Sequence, residues 1–432
     1  MQQFEKGQHV HFVGIGGIGM SALAQLFIAR GVAVSGSDRE ASKVTELLEG
    51  KGIRVYIGHA ATHLPEALDS LVYSDAVPAE NPERVLARER GVRKLSYFEA
   101  LGEVSKERFT IAVAGSHGKT TTTAMLGKIL VDVGASPTVV VGSITKDFGS
   151  NVVLGGGEGP FVVEACEYND HLLKLSPHIL VVTNLEWDHT DYFKSFDQLK
   201  ETFRKAVMKL PHDGALVVNL ETPIGLELSL HAPCCVVNYA DMTVPELQLL
   251  GEFNKMNAAA AKAAALAFMP AIEDTMINHS ISSFQGTWRR FEYKGTTPSG
   301  GLVYDDYAHH PTEVATTIRA VREKFPDKKL VVAFHPHLFS RTRDLMEDFS
   351  QSFTGANEVI LAPVYAARET PIEGVTSDVL AEKIKTYGIN AVAVESFEEV
   401  IAEFEKHDSN STLFITMGAG DIYKVADALT ER

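Results

Sequence analysis

Short apolar runs the length of a β-strand alternate with amphipathic stretches the length of a helix along nearly the whole chain. This alternation predicts parallel sheets joined by crossover helices, and therefore an α/β fold. The pattern restarts after Lys106 and again after the polar stretch 294–301. With 432 residues the chain has room for about three domains. We predict them at 1–106, 107–288 and 289–432, with Rossmann-like first and last domains and a central P-loop-type domain whose sheet is mostly parallel.

The composition limits where such a protein works and what it binds. The chain has 40 basic and 56 acidic side chains and a formal net charge of −16. So acidic a surface repels phosphate backbones and anionic lipids, and we expect neither nucleic-acid binding nor membrane insertion. Three cysteines, of which Cys234 and Cys235 are adjacent, favour a reducing compartment. Because we recognise no signal segment, we predict a cytoplasmic protein. We also predict that it is a monomer or a weak homodimer.

The first glycine-rich loop, GIGGIG at 14–19, links a predicted strand at His9–Gly14 to a predicted helix at Gly19–Arg30, and Asp38 closes the next strand. Glycines let the backbone approach a pyrophosphate, the helix N-terminus provides N–H donors, and the acidic residue accepts hydrogen bonds from ribose. The loop therefore predicts a bound nucleotide diphosphate. The pattern leaves open whether this is a nicotinamide cofactor or a nucleotide-linked substrate, and a tight turn without a ligand is the third alternative.

The second loop, AGSHGKT at 114–120, follows the apolar run Phe109–Ala114 and precedes a predicted helix at Thr120–Val133. A lysine can bridge the terminal phosphates of ATP, a hydroxyl can bind Mg²⁺, and loop amides can bind phosphate oxygens. Val113 stands where the general GxxxxGK[ST] pattern has glycine, so only a shorter GxxGKT form is present. A chance turn is the alternative, but the threonines that open the helix favour ATP binding.

Acidic side chains and a histidine follow two further predicted strands. Glu164 and Glu167 come after the apolar run 161–163, and the segment EWDH at 186–189 comes after the run 179–183. At the carboxyl edge of a sheet, beside a phosphate loop, such groups are suitable Mg²⁺ ligands. Each alone is more commonly a solvated loop charge, but their conjunction with the loop singles out Glu164 and His189.

A fourth group of polar residues lies in the last segment, as DDYAHHP at 305–311 and HPHLFSR at 335–341. We expect these on adjacent strand ends, with one helix following at Thr342–Phe353. The four histidines could hold zinc, but a proline splits His335 from His337 and no closed set of ligands accompanies them. A substrate pocket is the better interpretation, in which the histidines and Arg341 hold a carboxylate and orient an incoming amine.

Together these motifs resemble those of the Mur ligases. The similar segments run in the family's order over nearly the whole chain, as GIGGIGMS, SGSD, AGSHGKTTTTAM, EACEYNDHLL, TNLEWDHTDY, NKMNAAAA, WRRFE, DDYAHHPTE, HPHLFSRT and MGAGD. The resemblance implies a three-domain ligase that uses ATP and Mg²⁺, with Mn²⁺ as an alternative ion. It also implies the substrates, L-alanine and the carboxylate of UDP-N-acetylmuramate, and an acyl-phosphate intermediate.

The resemblance further implies roles for individual residues. The UDP-sugar would contact Gly14, Ile15, Gly16, Gly17, Ile18, Gly19, Asp38 and Ser74. ATP would contact Gly115, Ser116, His117, Gly118, Lys119, Thr120, Thr121, Asn254, Asn257, Arg290 and Asp306. The metal ligands would be Thr120, Glu164 and His189, and the amino acid would contact Tyr307, His309, His337 and Arg341. The catalytic residues would be Lys119, His189, His309 and Arg341.

Two other functions are compatible with parts of the sequence. A dehydrogenase would explain the loop at 14–19 and Asp38, but it leaves the loop at 114–120 and the last domain unused. A nucleotide sensor without catalysis would keep both loops, and it predicts no need for His337 or Arg341.

Overall fold

The computed structural model describes residues 4–367 and 369–431, which form two compact units. The first unit runs to Leu185 and adds Lys200–Glu246 and Met256–Gln285. The second unit contains Glu186–Leu199, Leu247–Lys255 and the chain from Gly286 onward. Each of the three predicted domain segments contains one mostly parallel sheet, which confirms the α/β class. The domain boundaries themselves stay predictions.

The N-terminal sheet has five parallel strands in the order β3-β2-β1-β4-β5. Its strands are β1 His9–Val13, β2 Ala33–Asp38, β3 Arg54–Ile57, β4 Ser70–Tyr73 and β5 Arg93–Ser96, and its helices are α1 Ile18–Ala29, α2 Lys43–Gly50, α3 Pro82–Glu89 and α4 Tyr97–Lys106. The order reverses between β1 and β4, and ligands of such sheets bind in the crevice at this point. The first glycine-rich loop leaves β1 there.

The central sheet has seven strands in the order β12-β11-β10-β6-β9-β7-β8, of which only β8 is antiparallel to its neighbour. Its strands are β6 Thr110–Ala114, β7 Thr138–Thr145, β8 Ser150–Val153, β9 Phe161–Glu164, β10 Ile179–Val182, β11 Ala215–Val218 and β12 Cys235–Asn238. The helices of this segment are α5 Lys119–Asp132, α6 Phe196–Met208, α7 Pro223–Ser229, α8 Glu252–Phe268 and α9 Asp274–Ser282. The second loop joins the fully buried β6 to α5.

The last sheet has six strands in the order β13-β14-β18-β15-β16-β17, with β13 antiparallel to β14. Its strands are β13 Glu292–Thr296, β14 Leu302–Asp306, β15 Lys329–Phe334, β16 Glu358–Leu361, β17 Asn390–Ala393 and β18 Thr412–Met417. Its helices are α10 Pro311–Lys324, α11 Phe339–Asp344, α12 Met346–Ser352, α13 Ser377–Thr386, α14 Phe397–Glu405 and α15 Tyr423–Thr430.

Two expectations for this sheet were wrong. The strands β14 and β15, whose ends carry the histidines, are not adjacent, because the C-terminal strand β18 pairs with both. The helix predicted at Thr342–Phe353 is two helices, α11 and α12, which meet at Leu345. That residue leaves the helical conformation, with φ −111° and ψ 19°, while its side chain stays in the core.

Side-chain contacts join the two sheets of the first unit. The Nδ2 atom of Asn151 in β8 donates to the carbonyl oxygen of Ile18 in α1 at 2.5 Å. The ring of His171 stacks on Phe98 at 3.8 Å, and its Nε2 lies 2.9 Å from Oδ2 of Asp75. The two glycine-rich loops therefore belong to one packed body. Over the described ranges, every helix is too short or too polar to cross a bilayer.

Candidate active site

The loop between β1 and α1 brings four predicted nucleotide residues together. Gly14 has a φ of 84°, and a Cβ atom there would lie 3.0 Å from the Cβ of Ser74, which follows β4. The Gly16 N–H donates to Oδ2 of Asp38 at 2.7 Å. Only glycine allows this backbone conformation and these approaches without strain. The structure thus places Gly14, Gly16, Asp38 and Ser74 around one turn.

The other residues of this loop anchor it and open the helix. Ile15 is fully buried, whereas Gly17 precedes α1 without any side-chain cap. A Cβ atom at Gly19 would lie 2.6 Å from the ring of Tyr97, so the start of α1 is packed against that phenol. Burial and then the charge of Glu164 raise the pKa of Tyr97, which keeps the phenol protonated. An uncapped helix N-terminus in a glycine loop is suited to an anion.

The second loop is shaped by the two residues that follow β10 and by one residue of α8. Gly115 has a φ of 134° and Gly118 a φ of 80°. A Cβ atom at Gly115 would collide with Thr183, and one at Gly118 would collide with Asn257. The backbone around His117 is held from both sides, since its N–H donates to Oδ1 of Asn184 at 2.9 Å and its oxygen accepts from Thr183 at 2.6 Å. Ser116 and Thr121 are buried beside it.

Lys119 is the first residue of α5, and its ammonium group is folded back on the loop. Nζ donates to the carbonyl oxygens of Gly115 and Ser116, the latter at 3.0 Å, and to Oε1 of Glu167 at 3.1 Å. Burial disfavours its charge, but Glu167, Cys166 and Glu164 outweigh this and raise the pKa of Lys119. Our predicted site omitted Glu167, although it is the nearest counter-charge.

Thr120 and Glu164 form a pair of oxygen donors next to that lysine. The Thr120 hydroxyl donates to Oε1 of Glu164 at 2.9 Å, and the Gly142 N–H donates to the other carboxylate oxygen at 2.7 Å. A hydroxyl and a carboxylate are hard ligands of the kind that Mg²⁺ and Mn²⁺ prefer. Two of the three predicted metal ligands are therefore in contact, and the third, His189, belongs to the second unit.

In the second unit, Arg341 makes a buried ion pair that the sequence analysis missed. Its Nε donates to Oδ1 of Asp188 at 2.9 Å, and one terminal nitrogen lies 2.9 Å from the same oxygen. Asp188 also accepts from the backbone N–H of His189 at 2.6 Å, which holds that histidine at a φ of 52°. Burial alone would raise the pKa of Asp188, but Arg341 and nearby histidines hold it well below its usual value.

The predicted amino-acid residues lie close to this pair. Nδ1 of His337 is 3.2 Å from a terminal nitrogen of Arg341, and the rings of His309 and His337 are 6.3 Å apart. Tyr307 meets the ring of His309 edge-on at 5.3 Å. Burial lowers the pKa of His309 to about 4, so its imidazole is neutral at pH 7. The structure brings Tyr307, His309, His337 and Arg341 together.

The adjacent arginines before β13 have different environments. Arg289 is buried and donates to Asp305 at 2.7 Å and to the carbonyl oxygens of Gly418 and Gly420 at 2.6 and 2.8 Å. Arg290, the predicted ATP residue, is partly exposed over the ring of Tyr307 at 5.1 Å. Only the second arginine is accessible for a ligand.

Asp306 and Asn254, also predicted ATP residues, are held by backbone groups. The two oxygens of Asp306 accept from the N–H groups of Ala308 and Phe291, each at 2.7 Å. Burial raises the pKa of Asp306 to about 6 against the opposing charge of Arg290. Nδ2 of Asn254 donates to the oxygen of Leu250 at 2.7 Å. These contacts fix both side chains within the second unit.

Acidification should destabilise the second unit through His309 and His335. Burial lowers the pKa of both His309 and His335 to about 4, below the 6.5 of an unfolded chain. The unfolded state therefore binds more protons below pH 6.5, and the stability present above that pH is lost as the pH falls towards 4. From pH 7 to 5 we expect a loss of about 2 kcal/mol per histidine.

Urea unfolding followed by tryptophan fluorescence measures this loss, because Trp187 and Trp288 both lie in the second unit. Replacing His335 by leucine should make the free energy of unfolding less dependent on pH. An equal pH dependence in wild type and variant would contradict the assignment to His335.

Three family models match the chain in consecutive segments. The catalytic-domain model of the Mur ligase family matches residues 9–109, the Mur ligase middle-domain model matches 113–243, and the Mur ligase glutamate ligase domain model matches 289–420. Together they cover both glycine-rich loops and the second unit's histidine segments.

Similar proteins match from end to end. The UDP-N-acetylmuramate–L-alanine ligase of Clostridium novyi is 37% identical over 99% of this chain and 98% of its own length. The ligase of the same name from Lachnospira eligens is 37% identical over 99% and 98%. The crystal structure of the UDP-N-acetylmuramate–alanine ligase from Thermotoga maritima has a TM-score of 0.80 at 27% identity and covers 98% of both chains.

Proposed function

This chain belongs to the Mur ligase family, and from that premise we propose that it joins L-alanine to the carboxylate of UDP-N-acetylmuramate in an ATP-dependent step of peptidoglycan precursor synthesis. The observation that carries this proposal is the end-to-end similarity to ligases of that name. The chain's few cysteines, two of them adjacent, support a reducing compartment, and we place the enzyme in the cytoplasm. The acidic surface needs local positive charge to attract such anionic substrates.

The two glycine-rich loops divide the nucleotides between them. The loop at 14–19, with Asp38 and Ser74, binds the UDP-sugar, and the N-terminus of α1 faces its diphosphate. The loop at 114–120 binds the phosphates of ATP, with Asn254, Asn257, Arg290 and Asp306 as further ATP residues. The contact between Gly16 and Asp38 at 2.7 Å supports the first assignment, because it fixes the carboxylate beside the loop amides.

The reaction we infer has two steps. A carboxylate oxygen of the sugar attacks the γ-phosphorus of ATP, so that ADP leaves and an acyl phosphate forms. The amine of L-alanine then attacks the acyl carbon, inorganic phosphate leaves, and the nitrogen loses a proton. Both reactants of the first step are anionic, and their repulsion must be offset by positive charge and oriented N–H groups.

Lys119 and the oxygen donors beside it are suited to that task. The lysine exchanges its contacts with loop carbonyls for the terminal phosphates, and the negative charge of Glu167 keeps it protonated. Thr120, Glu164 and His189 would hold Mg²⁺, or Mn²⁺ in its place. The ion would supply Lewis-acid stabilisation of the phosphoryl group. Tyr307, His309, His337 and Arg341 orient the amino acid.

One assay tests the proposed function against its rivals. Phosphate release from ATP is measured with UDP-N-acetylmuramate, with and without L-alanine, while the absorbance of NADH is monitored. We expect release that requires the sugar nucleotide and L-alanine. Release that ignores the sugar nucleotide would refute the ligase, and hydride transfer would support a dehydrogenase.

Replacing Glu164 by glutamine should impair metal binding. The amide keeps one acceptor for the Thr120 hydroxyl but removes the negative charge that favours a divalent cation. We expect kcat about 100-fold lower and the half-saturating Mg²⁺ concentration about 10-fold higher. Calorimetry of Mn²⁺ binding with a non-hydrolysable ATP analogue gives a readout apart from turnover. The exposed Glu158 provides the control, and Glu158→Gln should change neither value.

A further inference from the structure

The two carboxylate oxygens of Asp188 differ in their hydrogen bonds, since among the described residues Oδ1 has several donors and Oδ2 has none. Oδ1 lies 2.9 Å from two nitrogens of Arg341 and accepts the N–H of His189 at 2.6 Å. In the described part of the chain, Oδ2 accepts no hydrogen bond, and Nε2 of His189 is 4.0 Å away. The side chain is only 5% exposed. A carboxylate oxygen without a donor can accept a further hydrogen bond, so a ligand that donates there gains free energy.

The charges around Asp188 match a zwitterion. Arg341 and Asp188 are oppositely charged, so the pair carries no net charge. A lone arginine would bind any carboxylate, whereas this pair places guanidinium N–H groups beside an acceptor oxygen. Burial keeps His309 neutral at pH 7, so it adds no positive charge that would repel an ammonium group. An α-amino acid carries its carboxylate and ammonium groups on one carbon atom, so the two groups can meet Arg341 and Asp188 at the same time.

We propose that Oδ2 of Asp188 binds the α-ammonium of the amino-acid substrate while Arg341 binds its α-carboxylate. This inference rests on the proposed function and adds a binding residue that the family resemblance did not supply. The two contacts would orient the substrate, with its amino nitrogen towards His189 and its carboxylate towards His337. They also explain why the arginine is paired, since the pair rejects acids that lack an amino group.

The substitution Asp188→Asn tests the proposal. The asparagine amide oxygen can replace Oδ1 as acceptor for Arg341 and His189, while an NH₂ group replaces Oδ2 and repels an ammonium. We expect the KM for L-alanine to rise about 30-fold, as for loss of a charge-assisted hydrogen bond, with the KM for ATP within twofold. Asp344 pairs with Arg343 at 2.7 Å, and Asp344→Asn is the matched control that should leave both values unchanged.

A second comparison separates substrate contact from mere support of Arg341. In an Arg341→Met background, Asp188→Asn should still lower kcat/KM for L-alanine about 10-fold or more, if Oδ2 contacts the ammonium directly. No further loss in that background would overturn the proposal, because Asp188 would then act only through the arginine. An alanine KM within twofold of wild type in Asp188→Asn would overturn it as well.

Two further measurements keep the test independent of one variant. Unfolding followed by tryptophan fluorescence identifies variants that do not fold, and Asp188→Ser, which also lacks Oδ2, is expected to raise the alanine KM in the same way. On the unaltered enzyme, propionate should compete at least about 30-fold more weakly than L-alanine binds; equal competition would refute the ammonium contact. Wild-type enzyme without alanine-dependent phosphate release would instead refute the proposed function.

Discussion

Replacing Lys119 by alanine should lower the rate of phosphate release about 1,000-fold while the affinity for UDP-N-acetylmuramate stays within twofold. The lysine is the only basic side chain in the loop at 114–120 apart from a histidine. Its ammonium group is therefore the main side-chain charge in that loop that can offset the terminal phosphates. Loss of that charge raises the barrier of the first step more than it weakens ground-state binding.

We expect Lys119→Ala to keep its affinity for the UDP-sugar because the two glycine-rich loops are separate. Lys119 contacts its own loop and Glu167, whereas the loop at 14–19 is held by Asp38 and packs on Ser74 and Tyr97. Each loop is the strand-to-helix turn of a different sheet. Removing a side chain from one turn leaves the backbone amides of the other in place.

Phosphate release measures the first effect, and calorimetry with UDP-N-acetylmuramate measures the second. Lys128 lies on the same helix α5 and pairs with Asp132 at 3.0 Å, so Lys128→Ala is the control that should retain turnover. Loss of UDP-sugar affinity in Lys119→Ala would show that the two nucleotides are not divided between the loops as proposed.

The sequence was sufficient to predict the two loops and the strands that carry them. A buried strand, a glycine turn and an amphipathic helix are all local patterns, and the predicted strand at Phe109–Ala114 and helix at Thr120–Val133 agree with β6 and α5 within a residue or two. The glycines at 14 and 118 have the positive φ that such turns require. Local backbone chemistry therefore identified these parts of the candidate site.

Contacts between distant segments were beyond the sequence. Nothing local shows that β18 enters between β14 and β15, since strand order depends on packing of the whole sheet. The run EWDH presented Asp188 as one of several polar residues, and only the fold reveals that it pairs with Arg341, 153 positions later. The sequence also does not show which of the adjacent residues Arg289 and Arg290 is buried, because their burial depends on contacts with distant segments.

Replacing Arg289 by methionine should reduce the free energy of unfolding of the second unit by about 3–5 kcal/mol. The arginine is 3% exposed, and its guanidinium donates to Asp305 and to the carbonyl oxygens of Gly418 and Gly420. Methionine fills much of the volume but leaves those three acceptors without their donor. Because Asp305 is itself fully buried, its charge would then be uncompensated.

Arg290, the neighbouring arginine, provides the control for the stability loss expected in Arg289→Met. Arg290 is 27% exposed and lies 3.7 Å from Glu313, so Arg290→Met should cost less than about 1 kcal/mol of stability while it weakens ATP binding. Urea unfolding with tryptophan fluorescence compares the two variants, and the KM for ATP separates their functions. Equal stabilities would contradict the buried network at Arg289. A normal ATP KM in Arg290→Met would remove that residue from the nucleotide site.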